Sequence, residues 1–356
     1  MPNVSATELQ RFTREILLAT GVPPQAAELT AASLVAANTS GVDSHGVQLL
    51  PLYIDQLAAG DVDSQSAGRI TGEFGSCLLF DGENGLGQVV AARCCAEAVE
   101  LARRFAIGLV VARNSNHFGR AAYWGARISS ENCLGIVLSN SSPLVAPWQG
   151  REARLGTNPI CVAAPGPWHL DMATTSVAAG RIVDAVLDGD STIPEEWALD
   201  AAGNPTTSAS AALKGTVLPL GGRVAGHKGS GLAVAVELLC GVLSGGPIGK
   251  EVGSLRSRGR PAGVSQTFLA IDIRRFFPAG EFEARIDRLV GMIKSTPPAP
   301  GFDEVLVAGE KEERCAAVRV REGMPIPNRL WRTLNCLGDK YNVETLQLLS
   351  VQAATY

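Results

Sequence analysis

The sequence predicts an α/β fold preceded by a helical N-terminal portion. Three observations predict it. Helical apolar periodicity dominates residues 5 to 60, and from about residue 76 short apolar runs alternate with helical stretches. The composition, 46% hydrophobic and 19% charged with 39 Gly and 20 Pro among 356 residues, is that of a globular chain with many tight turns. That length allows two or three domains, or one large α/β body with a smaller appendage.

Ser5-Ala6-Thr7-Glu8 is a capping box that opens the first helix, which ends near Gly21-Val22-Pro23-Pro24. A second helix is expected from about Ala26 to Asn38. A third starts after Ser44-His45-Gly46 and carries Leu49, Leu50, Leu52 and Tyr53 towards Leu57. Residues 1–70 are therefore expected to be a helical portion.

Residues 71–295 are expected to form the α/β part, with apolar runs at 77–80, 107–113, 134–139, 159–165 and 268–273. Helices are predicted between them at about 88–105, 119–131, 229–245 and 281–294. The Pro-rich stretch Thr296 to Pro300 is a linker into residues 296–356, which hold VLVAGEKEE at 305–313 and a last helix at 328–336. This final segment is expected to return to the N-terminal helices.

A formal net charge of −4, with no long Lys/Arg run, argues against a nucleic-acid partner. The eight cysteines form no CxxC pair, so they indicate neither a zinc site nor a disulfide framework and read as reduced, buried thiols. No basic, then apolar, leader opens the chain, and a cytoplasmic protein is expected. Gly229 to Gly245 is apolar enough to raise a membrane span, but Glu237 sits at its middle and a buried core helix is the expectation.

Asp81-Gly82-Glu83-Asn84-Gly85-Leu86-Gly87-Gln88 imitates a dinucleotide fingerprint, with an apolar run before it and a helix after. Val90 occupies the place of the third small residue, and the only acidic residues in reach, Glu97 and Glu100, lie inside the helix. A turn whose glycines supply positive φ is the better reading.

Of four histidines, His45, His117 and His227 sit among small, turn-prone residues. Imidazole titrates near neutral pH and suits proton exchange with a hydroxyl or carbonyl during hydride transfer. His117 follows an apolar run and the loop Asn114-Ser115-Asn116, where open α/β sheets place ligands. His45 reads equally as a second proton donor or as a helix-start group without a reaction role. Asp171-Met172-Ala173-Thr174 offers hydroxyls and amides to a ribose or pyrophosphate, or simply starts a helix. Lys228, at the mouth of the apolar helix, either binds an anion or is solvated.

In order along the chain, DSHGVQLLPLY (43–53), DGENGLGQ (81–88), NSNHFGRAAYW (114–124), NSSPLVAPW (140–148), LGTNPI (155–160), DMATTSVAAGRI (171–182), IPEEWALDAAGNPTT (193–207), HKGSGLA (227–233) and AGEKE (308–312) resemble the malate/L-lactate dehydrogenase family distinct from the Rossmann-type enzymes. Its relatives include ureidoglycolate, sulfolactate and diketogulonate oxidoreductases and cyclic imino acid reductases. The resemblance implies a non-Rossmann cofactor domain with a mixed, largely antiparallel sheet flanked by helices. It also implies a smaller helical domain built from the N- and C-terminal segments, and a homodimer.

Carried over by position, the resemblance makes His117 the acid/base of hydride transfer between NAD or NADP and a 2-hydroxy or 2-oxo acid. His45 and Ser44 would be donors in the same pocket, and Tyr53 would close it. Ser141, Asp171, Met172, Ala173, Thr174, Lys228 and the turn Gly309-Glu310-Lys311 would hold the cofactor. Leu49 stands where the family usually has an arginine to clamp a substrate carboxylate. Either Arg120 supplies that charge, or the substrate presents an apolar group to Leu49. The insertion Arg223 to Gly226 would lengthen a cofactor loop. Two other readings stand beside the first: reduction of a C=N bond in an imino acid, and a catalytically inactive cofactor-binding regulator.

Overall fold

The structure, a computed structural model, describes residues 1–166, 168–189 and 192–349. A two-residue strand, β1 (Asn3–Val4), precedes helices α1 (Ala6–Ala19), α2 (Pro24–Thr39) and α3 (Leu50–Ala59). The Ser5 hydroxyl accepts from Glu8 N at 3.2 Å, as a cap should, whereas the Glu8 carboxylate binds Arg11 and Gln347 N instead of reaching back.

The α/β part follows: β2 (Arg69–Phe74), β3 (Cys77–Asp81), α4 (Gly87–Phe105), β4 (Ile107–Ser115), α5 (Ala121–Ser129), β5 (Cys133–Ser139), β6 (Ile160–Ala163) and β7 (His169–Met172). Next come α6 (Ala179–Asp188), β8 (Ala198–Leu199), α7 (Ala209–Ala212), β9 (Thr216–Val217), α8 (Gly222–Glu237), β10 (Val264–Asp272) and α9 (Glu281–Lys294). The chain closes with α10 (Glu310–Glu322), β11 (Met324–Pro325) and α11 (Asn328–Tyr341).

Seven strands form one sheet in the order β2-β3-β4-β10-β5-β6-β7. Only β3 and β4 run parallel; every other neighbouring pair is antiparallel, so the sheet is mixed and largely antiparallel. The alternation along β5 shows how it is buried on both faces: Val137 packs with α4 and α5, while Ile136 and Leu138 pack with Val236 and Cys240 of the α8 region. A second apolar cluster joins Leu9, Phe12 and Ile16 of α1 to Met324, Ile326 and Leu334. Antiparallel pairing of β1 with β11 ties the same ends together, so the C-terminal segment returns to the N-terminal helices.

Several expectations are corrected. β2 was not foreseen and crosses the expected boundary at residue 70; it is a largely exposed edge strand and carries no apolar stripe. α10 was not foreseen because it buries no residue and is rich in charge. α8 starts at Gly222, so Arg223 to Gly226 form its first turns rather than a longer loop, and Lys228 lies in its second turn rather than at its mouth. The segment from Gly229 is not a buried helix throughout: Leu232, Leu238, Leu239, Val242 and Leu243 are 40 to 54% exposed. No helix among the described residues is long and apolar enough to cross a membrane. All eight cysteines are free, but Cys336 is exposed and Cys77 and Cys315 are half-buried.

Candidate active site

The glycine-rich turn before α4 is built differently from the expected one. Its positive φ values fall on Glu83 and Asn84, not on Gly82, Gly85 or Gly87. The glycines serve close approach: a Cβ on Gly87 would overlap the carbonyl oxygens of Asn116 and His117. The start of α4 therefore lies directly against the loop that follows β4. Asn116 fixes that loop by donating to Asn84 O at 3.1 Å and Gly85 O at 2.8 Å, while Gln266 of the central strand β10 donates to Asn116 O at 3.0 Å.

His117, held on this loop, meets Tyr53 of α3. The Tyr53 hydroxyl lies 2.7 Å from His117 Nδ1 and accepts from Gln88 Nε2 at 2.9 Å, so its own proton points to the imidazole. Gly119 N also donates to Nδ1, at 3.3 Å. With two donors on Nδ1, the ring proton belongs on Nε2. Burial, and then the neighbouring His45, pull the His117 pKa down to about 3, so the ring is neutral near pH 7. Burial also pushes the Tyr53 hydroxyl up. Tyr53 is thus the hydrogen-bond partner of His117 Nδ1.

His45 lies on a 3₁₀ turn, Asp43–His45, not in the first turn of a regular helix. Its ring stacks on that of His117 with centroids 5.6 Å apart and 24° between planes. Ser44 Oγ lies 3.0 Å from His45 Nδ1. Burial lowers the His45 pKa, Asp171 opposes that effect and Arg120 reinforces it. The last two form a pair: Arg120 Nε donates to Asp171 Oδ2 at 3.2 Å, and Ala122 N at the start of α5 donates to the same oxygen at 2.9 Å. Both Nη groups of Arg120 are without a protein acceptor among the described residues.

Leu49 is 7% exposed and packs in the N-terminal apolar cluster. Its neighbour Gln48, not Leu49, lines the cavity of about 650 Å³ that Ser44 also borders. Leu49 therefore offers no surface to a substrate group, and Arg120 is a cation near His45.

Of the positions expected to hold a cofactor, Asp171 and Met172 lie in β7 and others approach its two ends. Gly309, at φ +92°, abuts His169 at the strand's start, where an added Cβ would lie 3.1 Å from the His169 carbonyl oxygen. Glu310 opens α10; hydrogen bonds from Lys294, Val307 N and Arg314 hold its pKa down at about 2, and Lys311 beside it is exposed. Asp171 and Met172 lie within the strand, and Ala173 is half-buried just beyond it. At the far end Thr174 donates to Thr157 O at 3.0 Å, and Thr157 N donates to Ser141 Oγ at 3.0 Å. Leu220 N donates to Thr174 O and Gly229 N to Leu220 O, which brings Lys228 into the same region. From His169 to Thr174 an extended chain covers about 17 Å, a span suited to an extended dinucleotide. The α6 start then passes Ser44, whose Cβ would lie 3.1 Å from a Cβ on Gly180.

Sequence reasoning missed Gln88 and Gly119 as partners of the histidine. Gln88 closes the quoted string at 81–88, but nothing local signals that it reaches Tyr53, 35 residues away.

The malate/L-lactate dehydrogenase family profile matches residues 4–335. A malate dehydrogenase of Pyrococcus horikoshii is 40% identical over 350 residues, covering 96% of each chain. An L-sulfolactate dehydrogenase of Methanocaldococcus jannaschii is 37% identical over 323 residues, covering 90% of this chain and 92% of the other. The solved Pyrococcus horikoshii structure superposes with a TM-score of 0.89 at 39% identity over 97% of each chain. A δ1-piperideine-2-carboxylate reductase from Pseudomonas syringae superposes with a TM-score of 0.81 at 26% identity, covering 95% of this chain and all of the other.

Proposed function

The chain belongs to the malate/L-lactate dehydrogenase family of oxidoreductases, and from that premise we propose that it transfers a hydride between a nicotinamide cofactor and the carbon bearing a 2-hydroxy or 2-oxo group of a small acid. The observation that carries this reading is the stacked pair His45 and His117 beside Arg120, with His117 Nδ1 engaged by Tyr53.

In this reading His117 Nε2 faces the reacting oxygen: the imidazolium, its Nδ1–H donated to Tyr53, gives the Nε2 proton to the carbonyl in reduction, and the Nδ1–H tautomer that results takes a proton at Nε2 from the hydroxyl in oxidation. His117 is neutral in the free protein; the negative charge of a bound acid would stabilise its imidazolium, so substrate and proton would be taken up together. The Nη groups of Arg120 would bind the substrate carboxylate, in place of the cation missing at Leu49. Ser44 and His45 would donate to the remaining substrate oxygens.

A bound NAD or NADP would supply or accept the hydride. Ser141, Asp171, Met172, Ala173, Thr174, Lys228, Gly309, Glu310 and Lys311 would hold it. The contacts of Gly309 with His169, at one end of β7, and of Thr174 with Thr157 and Ser141, beyond its other end, support that assignment, with Asp171 contributing through Arg120 and α5.

Residues 1–70 and 296–356 would form a cleft-lining unit on the α/β part, and the exposed apolar side of α8 suits burial against a second copy of the chain. A Leu232→Glu variant that keeps the parent's mass by light scattering would remove α8 from that interface. A cytoplasmic setting suits eight unpaired thiols.

The test is a panel of 2-oxo acids and cyclic imino acids with NADH and NADPH, run on the parent and on His117→Gln. Consumption of 2-oxo acids, lost in the variant while cofactor binding persists, is the expected result. Consumption of imino acids alone would move the chemistry to C=N reduction. Cofactor binding without any turnover would leave a regulator, and an active variant would remove His117 from proton transfer.

A further inference from the structure

The turn that carries His45 is held from a distant part of the chain. Arg319, near the C-terminal end of α10, makes a two-pronged pair with Asp43, with Nη1 to Oδ1 at 2.7 Å and Nη2 to Oδ2 at 2.8 Å. The same guanidinium donates to the Asn38 carbonyl at the end of α2. Asn38 completes the clamp: its Nδ2 donates to Asp43 Oδ1 at 2.6 Å and its Oδ1 accepts from Val47 N at 2.8 Å. Gly46 lies so close to the Asn38 side chain that a Cβ there would overlap it. Both residues flanking His45 at a distance of two are thus pinned, and the guanidinium is well shielded, its side chain only 14% exposed.

We propose that Arg319 is a positioning residue for His45, acting through Asp43 and Asn38. The proposal rests on the assignment of His45 to the substrate pocket. The geometry argues for more than a surface ion pair, which alone contributes little. The contact is bidentate, it converges on one 3₁₀ turn, and its loss would free the backbone on which His45 stacks against His117. Moreover, Gly309, the residue just before α10, abuts His169, and Arg319 lies ten residues on, about 15 Å along the helix axis. One rigid rod therefore spans from the cofactor-side turn to the histidine turn.

The test compares Arg319→Gln, Arg319→Lys, Asp43→Asn and the Arg319→Gln/Asp43→Asn double variant with the parent, holding the panel substrate the parent turns over. Because there are only four histidines, the ring signals of His45 can be followed in long-range proton–nitrogen spectra. Arg319→Gln is expected to lower kcat/KM on the order of 10²-fold and to shift the His45 signals, while the dissociation constant of NADH or NADPH measured without substrate stays within about threefold. Lysine should restore part of the activity, and the double variant should lose no more than the worse single one. Parent-like kcat/KM and unshifted His45 signals in Arg319→Gln would overturn the proposal. So would equal losses of cofactor binding and turnover, which would show a general structural role. If Arg319→Gln does not fold, Arg319→Lys and Asp43→Asn give the same two readouts. A fully active His45→Gln would fail the pocket assignment itself, and is thereby distinguished from failure of the clamp.

Discussion

Tyr53 and His117 meet across 64 residues of chain through a 2.7 Å contact between the phenolic oxygen and Nδ1. Gln88 donates to that oxygen, so in the free protein the Tyr53 proton turns to His117 and the resting imidazole carries its proton on Nε2, while the same hydroxyl can accept from Nδ1 once the ring takes up a second proton. Tyr53→Phe should therefore loosen the ring and leave the Gln88 amide without its acceptor. We expect kcat/KM to fall by about 10–10² and the folded state to lose roughly 1–3 kcal/mol. Steady-state kinetics and urea unfolding measure both; unchanged kinetics would show that ring orientation does not depend on Tyr53.

Acid sensitivity should carry the signature of His117. Its folded-state pKa lies near 3, below the ordinary histidine value of 6.5. Between those limits the unfolded chain binds the extra proton, so the stability associated with the neutral ring is full above about pH 6.5 and falls as pH drops towards 3. The slope from one such group is at most about 1.4 kcal/mol per pH unit. His45 shifts in the same direction, and lowered carboxylates such as Asp272 act at still lower pH. Unfolding free energies of parent and His117→Gln measured from pH 7 to 4 should diverge from their pH 7 difference, with the parent declining more steeply. Parallel curves would place His117 in a more polar setting.

Gly87 should tolerate no side chain. Its missing Cβ is what lets α4 approach the carbonyls of Asn116 and His117, both backbone groups that cannot swing aside. Gly87→Ala is predicted to destabilise by about 1–3 kcal/mol and to displace the His117 loop, with turnover falling on the order of 10²-fold. Gly75, which has open space around its Cβ position but a φ of +62°, is a useful control: alanine there costs about 1 kcal/mol with activity intact.

Arg120 separates substrate binding from chemistry. In Arg120→Gln the KM for a 2-oxo acid should rise by about 10–10², with a smaller change in the constant for cofactor. Asp171 loses its guanidinium partner in that variant but keeps the Ala122 amide, so the fold should persist. A KM that does not move would assign the carboxylate to another cation, and Arg329, which borders the same cavity as Ser44 and Gln48, would be the next candidate.

Much of this protein was legible locally. The alternation of apolar runs and helical stretches located β3, β4, β5, β6, β10 and helices α4, α5 and α8, because each buries one face or both and the burial leaves a period in the chain, whereas α6 and α7 were not anticipated. The nine ordered strings pointed to the family, and the loops holding His45 and His117 were singled out by their small, polar surroundings. Elements without an apolar face left no such trace: β2 is an exposed edge and α10 buries nothing.

What the tertiary structure decided is which distant groups meet. Leu49 occupies the position of a family cation but turns into the core, Arg120 pairs with Asp171 51 residues away, and Arg319 closes on Asp43 across 276 residues. Periodicity reports the environment of a face over a few turns, whereas a hydrogen bond between separate segments depends on how whole helices pack, and no local spacing encodes that geometry.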